Sequence, residues 1–571
     1  MKIKYFCFAF FLATLTSCED WLDKQMVTSL DDEIVYTNYQ NAMYAANSCY
    51  AYLPNGFYAI GSGTNSAMLA SATDEAEFAQ QSNAVHRMNN GAWMATDLPE
   101  NPLFNNYQNI RKIYDFLDNA DRINFDDIRR NPSQHGVYEE RLENIKNMKP
   151  ELQLLRAFYL FDLVKRFGGV PIIDHKTSLN DDYANTPRSS LQACVDTIVK
   201  ICDVAADSLP VTRTKDELGR LTSGAAKALK SEVLLFAASD LWNDPSWAGS
   251  YSHPELISLP AGDRAQRWKA AADAAKAVID MESKAHYRLD PYSSLFGENG
   301  FRSNEIIFCR RNGADNNFER INLPISYDNV VGGNCPTQNL VDAFQVKEGN
   351  KARDFDWSNA KDAANPFANT RDPRLRTFIV VNNSFFKLRN VEAYSGGRDG
   401  DGVRNATPTG YYLKKYVNPN SDLTKKEKTV HTWIYFRLAG IYLNYIEALN
   451  EYDPSNADIK KYYDRIRNRN GVKMPGLPSG LAQAEVRKLI RQERQVELCF
   501  EGQRMFDLRR WMDKKALSEP IRAVKITKSG NNFTYSPYVL EQRVFSDKMY
   551  FYPIPQADIN KDQALIQNPL W

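Results

Sequence analysis

The stretch PELQLLRAFYLFDLVKRFGG, from Pro150 to Gly169, carries the reading of the fold. Its apolar residues fall on nearly every side of a helical wheel, its proline suits a first helical turn, and its two glycines stop the helix. A helix that is apolar all round is covered all round. Other helices must therefore pack about it, and residues 189–208 (SSLQACVDTIVKICDVAADS) supply the first, returning alongside it.

The same pattern recurs on either side. Within 34–53, Tyr36, Tyr39, Met43, Ala46, Tyr50 and Leu53 follow one another at three- and four-residue steps, which predicts a helix ended by Pro54-Asn55-Gly56; 103–125 predicts another. Downstream, Thr222 or Ser223 caps AAKALKSEVLLFAASDLW, and beyond a loop at 243–263 the Ala-rich RAQRWKAAADAAKAVIDM forms its close-packing partner. Residues 285–432 break the rhythm with Gly, Asn and Pro and short strand-like pieces such as Glu305–Cys309 and Thr377–Val381. Helices resume at 433–451, 457–469 and 482–501, the last ending at Gly502. Repeated pairs of this length predict a mainly α protein: a tetratricopeptide-like helical superhelix with long irregular loops and a few short strands, without a strict 34-residue period.

The first residues predict where the protein lives. Lys2 and Lys4 precede an apolar run, Tyr5 to Leu15, that is too short to span a bilayer and has the length of a secretory signal core. Small residues then lead straight into a cysteine, and LTSC (15–18) resembles a bacterial lipobox, in which the chain is cut before Cys18 and the thiol carries a diacylglycerol. The expected organisation is a lipoprotein signal peptide over 1–17, an N-terminal helical region over 18–235 and a C-terminal region over 236–571 that contains the irregular segment 285–432. Acyl chains contribute about 0.8 kcal/mol per buried CH₂, so several hold a soluble body on a membrane durably.

Composition excludes other classes. With 71 basic and 70 acidic residues the net charge is +1, which gives no electrostatic case for nucleic acid. Mean hydropathy is −0.51, and no later segment has the length and apolarity of a membrane span. Of eight cysteines, Cys7 lies in the signal and Cys18 is the anchor; the other six have no CxxC spacing and read as small core residues. Cys194 and Cys202 share a helix, where eight residues rise about 12 Å, beyond the roughly 7 Å that a disulfide bridges.

Five further segments converge on one family: LLRAFYLFDLVKRFGGVPII (154–173), PTQNLVDAFQVKEG (336–349), FRLAGIYLNYIEALN (436–450), IRQERQVELCFEGQRMFDLRRW (490–511) and YFYPIPQADINKDQALIQNPLW (550–571). Together with the lipobox they resemble, in order, the signatures of the SusD/RagB family. That resemblance implies a lipid-anchored protein on the exterior of the outer membrane that binds an oligosaccharide or a peptide. It also implies a partner, a SusC-like TonB-dependent β-barrel transporter over whose mouth the lipoprotein acts as a lid.

Catalytic templates are missing from the sequence. It has no HExxH, GxSxG or P-loop, its six histidines are dispersed, and it calls for no catalytic residue, metal or cofactor. Glu493, Glu497 and Glu501 stack along one helix face rather than opposing each other across a sugar bond, so they read as a structural ion-pair stripe. Arg465, Arg467 and Arg469 on the preceding helix are placed to face it. The segment GGRDGDGVRN (396–405) alternates Asp399 and Asp401 as a calcium loop does, but Val403 occupies a ligand position, and a flexible glycine loop is the expectation. For binding, the candidates are Trp93 with Arg87, and Trp247 with Tyr251, aromatic rings in polar loops that can offer a platform to a sugar face. A surface hydrolase acting on the same polymer, or a purely scaffolding helical repeat, is the alternative.

Overall fold

The structure is a computed structural model that describes residues 32–177, 183–328 and 330–571. Cys18 and the signal segment lie outside the described residues. Two short helices, α1 (Asp32–Thr37) and α2 (Tyr39–Ser48), open the fold. They replace the single helix expected over 34–53, because Asn38 takes extended backbone and caps α2 by accepting from the Asn41 amide. There follow α3 (Leu103–Asn119), α4 (His135–Phe167), α5 (Leu191–Ser208), α6 (Ser223–Ala238), α7 (Arg264–Ile279), α8 (Leu438–Tyr452), α9 (Ala457–Arg467), α10 (Gln483–Leu498) and α11 (Arg504–Arg510).

The helix of the opening stretch begins fifteen residues earlier than its proline. Pro150 lies inside α4, whose first half is mostly exposed and whose second half, from Glu151, is almost wholly buried. What the composition marks at Pro150 is the boundary of burial, not of the helix. A proline there lacks one backbone hydrogen bond, a loss the long helix accommodates. Each helix packs on the next in sequence: α3 on α4, α4 on α5, α5 on α6, α6 on α7. The run then continues with α7 on α8, across more than 150 intervening residues, and α8 in turn packs on α9 and α10. This is a mainly helical, tetratricopeptide-like superhelix with the irregular segment inserted between consecutive members. Thr222 caps α6 and Ser190 caps α5, each accepting from a backbone N–H of the first turn.

Short two-stranded pieces serve the insertion: β1 (Ala76–Phe78) pairs with β3 (Asn334–Pro336), and β2 (Ile306–Arg311) with β4 (Thr432–Arg437), both antiparallel. Residues 433–437, expected as the start of a helix, are therefore strand. TWIYFR is β-branched and aromatic but buried on both faces, so the two-residue alternation that betrays a strand is absent. Around Thr377–Val381 the chain divides, helical to Phe378 and extended at Ile379–Val380. A longer hairpin, β5 (Ile521–Ser529) with β6 (Asn532–Glu541), was not expected at all. The glycine loop at 396–405 is pinned rather than free: Asp399, fully buried, accepts from Arg389 at 2.7 Å and from the Glu392 amide at 2.9 Å. One core lies among the helices and a second beneath the insertion, around Phe57, Phe318, Phe344, Tyr411, Trp433 and Phe500. All six described cysteines are buried free thiols.

Between the two cores lies a buried ion network. Five carboxylates (Glu305, Asp372, Glu493, Glu497, Glu501) face five cations (Arg374, Lys415, Arg437, Arg467, Arg469), so the cluster is neutral. Arg374 reaches Glu493 at 2.5 Å and Glu497 at 3.0 Å. Arg437 spans Glu305, Glu497 and Glu501 at 2.7, 2.8 and 2.7 Å. Arg467 and Arg469 join as expected, to Glu493 at 2.8 Å and Glu305 at 2.7 Å. Arg465 does not; two helical residues from Arg467, it points away and binds Glu282 at 2.9 Å, while Arg469 lies past the end of α9 and is free to turn inward.

Burial by itself would raise the Glu497 carboxyl, but Arg469, Arg437 and Arg374 outweigh it and hold it far below the usual range. The same contest at Glu447, won chiefly by Arg510, sets that carboxyl at about 2. Both groups are depressed on folding, so their stabilisation is complete above the ordinary glutamate range near 4.5 and is lost as pH falls toward their own values. Glu497→Ala strands three buried cations and should cost about 3–5 kcal/mol, read as a lower urea midpoint at neutral pH. The same substitution should also flatten the loss of stability between pH 4.5 and 2; an unshifted midpoint would mean that the network contributes nothing.

Candidate ligand-binding cleft

A cleft of about 240 Å³ opens where the helical body meets the insertion. Its helical wall is one face of α4: Phe158, Phe161, Asp162, Lys165 and Arg166, at steps of three, one, three and one. Opposite stand Trp433 and Tyr435 of β4, and the rim is formed by Tyr52 and Tyr58 after α2, Asn105 of α3, and Gln503 and Phe506 at α11. Trp433 is clamped by two glycines. A Cβ on Gly56 would lie 2.0 Å from its ring, and one on Gly502, at φ +75°, would lie 3.2 Å from it. Helix α10 ends at Leu498, three residues short of the stop expected at Gly502, and Phe500 and Gly502, both at positive φ, turn the chain so that Gln503 lines the cleft.

The charges on the wall are internally paired. Arg166 takes Glu100 through two nitrogens at 2.6 and 3.1 Å and Asp162 at 2.6 Å, while Asn106 donates to Asp162 at 3.1 Å. Burial would raise the Asp162 carboxyl, but Arg166 and Lys165 hold it low. Lys165 lies 4.5 Å above the Phe506 ring, with Asp162 3.5 Å away. Glu232, on the floor, behaves oppositely, because burial raises it and Lys165 only partly offsets that. The Tyr435 hydroxyl donates to the Pro54 carbonyl at 2.6 Å and Tyr58 to Asp315 at 3.2 Å, which fixes both rings. The side chains of Asn105 and Gln503, by contrast, make no hydrogen bond to any of the described residues, and Tyr52 is 41% exposed. Fixed rings beside free amides can cover an apolar sugar face and bond its hydroxyls.

None of the residues nominated from loop aromaticity lines this cleft. Trp93 is 2% exposed, its ring edge-on to Tyr552 and Trp571 at 5.0 Å each, so it is a core side chain and not an open platform. Trp247 packs on Tyr550 at 5.3 Å, and Tyr251 donates to the Gln567 carbonyl at 2.8 Å. Arg87 is tied to Asp97 at 2.9 Å. The three rings are drawn to 550–571, an aromatic segment whose packing partners a local reading cannot identify. The cleft had its own signal in the opening stretch, where Asp162, Lys165 and Arg166 share a helical face with Phe158 and Phe161. Charges on a helix that is otherwise apolar all round demand a polar neighbour.

Among the described residues one grouping has metal-ligand character: Glu77, His86 and Glu541 bring ligand atoms within 4.8 Å of one another. Arg543 already meets Glu77 at 2.6 Å and His86 does so at 3.1 Å, so a cation and an imidazole balance the two carboxylates.

Comparison with known proteins bears on most of the chain. Residues 304–571 match a family model described as "SusD family", and residues 20–235 one described as "Starch-binding associating with outer membrane". SusD-like protein P2 of Formosa agariphila is 22% identical over 449 residues, 76% of either chain. A SusD-like protein of Bacteroides fragilis superposes with a TM-score of 0.77 at 23% identity, covering 95% of this chain and 99% of that one. A second B. fragilis structure, a SusD-like carbohydrate-binding protein, gives 0.74 at 20% identity over 93% and 100%. At such identities the structural likeness is one of fold.

The packing of Trp93 generates a test that separates core from site. Trp93→Ala should lower stability by about 3–5 kcal/mol, as large aromatic truncations in cores do. A thermal melt reads it; an unchanged melting temperature would contradict the buried placement.

Proposed function

The chain belongs to the SusD family, and from that premise we propose that it is a lipid-anchored glycan-binding protein of the outer-membrane surface that passes its ligand to a TonB-dependent β-barrel. The observation that carries the ligand half of this reading is the cleft, where Tyr52, Tyr58 and Tyr435 meet the unengaged amides of Asn105 and Gln503. Family members described as starch-binding and carbohydrate-binding support the same ligand class. The membrane half rests on the lipobox resemblance at Cys18 and on the family description, and the barrel half on the family resemblance alone. A peptide remains the alternative ligand within the same reading.

Binding without cleavage is part of the proposal. Two carboxylates of opposite tendency do border the cleft, Glu232 raised and Asp162 lowered, which is the pattern of an acid paired with a base. Asp162, however, has one oxygen engaged by Arg166 and the other by Asn106, which fixes it as the counter-ion of Arg166 within the wall. Glu232 therefore lacks a working partner.

Titration with a panel of neutral oligosaccharides, α- and β-linked, tests the ligand. Gln503→Ala and Tyr52→Ala should each weaken binding of the responding glycan about tenfold, roughly 1.4 kcal/mol, at unchanged melting temperature and with no product released. Full affinity in both variants would move the site elsewhere. For the anchor, Cys18→Ala should abolish incorporation of labelled fatty acid and release the protein from the outer membrane, while wild type extracted in mild detergent should bring a large barrel with it. Retained label would end the lipoprotein reading.

A further inference from the structure

A second pocket, of about 530 Å³, is bordered by the end of α6, the start of α7, and the faces of α8 and α10, with Trp511 and Trp268 among its walls. It shares no lining residue with the cleft. Its charges can be accounted for one by one. Arg264 meets Asp240 at 2.9 Å, and Arg487 holds Glu451 through two nitrogens at 2.5 and 2.6 Å. Glu447 takes Arg510 from behind the wall at 2.5 Å and the Trp511 indole N–H at 2.7 Å. That leaves Arg491. Its guanidinium lies 4.5 Å over the Trp511 ring, forms no ion pair or hydrogen bond with any of the described residues, and its Nε is buried without an acceptor among them.

Arg491 is one helical turn beyond Arg487 on α10, and the Glu451 carboxylate that neutralises Arg487 forms no ion pair with Arg491. The guanidinium sits over Trp511 and lines the pocket, and its paired N–H groups match the paired oxygens of a carboxylate or a sulfate. Trp268, partly buried on the same pocket, supplies an apolar ring.

We propose that this pocket is a second binding site, for a sugar ring bearing a carboxylate or a sulfate ester, with the anion bidentate on Arg491 and the ring against Trp268. The anion half stands on the unpaired guanidinium; the sugar half rests on the carbohydrate-binding role proposed above. The site makes the protein selective for acidic chains without any change in the cleft.

The test is calorimetric titration of the full-length, detergent-extracted protein with a galacturonate trisaccharide, a sulfated galactose trisaccharide and their neutral galactose counterpart, beside thermal melts. At least one acidic ligand should bind tenfold or more tightly than the neutral one, with affinity falling as salt rises. Arg491→Gln should cost that advantage, Arg491→Lys should recover only part of it because the fork is lost, and Gln503→Ala should leave it intact. Trp268→Ala, at a ring only partly buried against the core, keeps the test open where Arg491→Gln melts early. Equal binding of acidic and neutral sugars, or an acidic preference untouched by both Arg491→Gln and Trp268→Ala, overturns the second site. Neutral sugars bound in the cleft with no acidic preference overturn this proposal alone, whereas no binding of any sugar overturns the carbohydrate reading as well. Loss of barrel co-extraction in Arg491→Gln, with sugar binding unchanged, assigns the pocket to a protein contact and also overturns it.

Discussion

Glu497 is the point on which the two halves of the molecule are hung. It is fully buried on α10, yet its two oxygens meet cations from three different parts of the chain: Arg374 from the insertion, Arg437 from the junction of β4 with α8, and Arg469 from the turn after α9. An isolated carboxylate at such a site would pay several kcal/mol in lost hydration, and the network is favourable only because every member is matched. Such an arrangement is all or nothing. It therefore specifies where the inserted segment sits against the superhelix more sharply than apolar contact does, since an apolar surface tolerates small slips and a bidentate ion pair does not.

The cleft inherits that precision. Glu501 is bound by Arg437 and Lys415, and the next two residues are Gly502, which meets Trp433, and Gln503, which enters the cleft. The chain is thus clamped within two residues of a candidate ligand contact. On the opposite wall Asp162 and Arg166 are spent on each other and on Glu100, leaving neutral amides and rings to face solvent. A wall of satisfied ions is a rigid support that adds little net charge, which suits an uncharged polyol. The second pocket contrasts with it: there one guanidinium is left over.

How far these features were legible depended on whether their cause was local. The helical superhelix was legible because the 3.6-residue period, the cap at Thr222 and the stop at Gly168 are short-range facts. So was the acidic stripe of Glu493, Glu497 and Glu501, whose spacing demands counter-charges. Arg374, Arg437 and Lys415, which supply most of those charges, come from 60 to 123 residues away and carry no mark in their own neighbourhoods. Strand β4 hid for a related reason, since burial on both faces erases its alternation. Trp93 misled because a polar loop around a tryptophan looks alike whether the ring faces water or Trp571. Ring exposure is a tertiary property, and the sequence around residue 93 does not contain residue 571.

The opening stretch itself shows the same dependence at the largest separation. Helix α4 ends at Phe167 with carbonyls that need donors, and Gly168 turns the chain at φ +76°. The donors are not local. Arg188 reaches the Phe167 and Gly169 carbonyls at 2.6 and 2.7 Å, and Asn568, 401 residues on, donates to the Phe167 carbonyl at 2.9 Å and to that of Tyr552 at 2.6 Å. Arg188 in turn donates to Asn568 Oδ1 and to the Ile566 carbonyl, so the two residues hold each other as well as the helix end. The helix whose pattern announces the fold is therefore finished only when the last segment docks beside it, over Trp93 and Trp247. Closing so long a loop costs only a few kcal/mol more than closing a short one, because the entropy grows with the logarithm of length. The contact is affordable in stability, and its cost falls on the rate, since the central helix cannot reach its final capping before nearly the whole chain is in place.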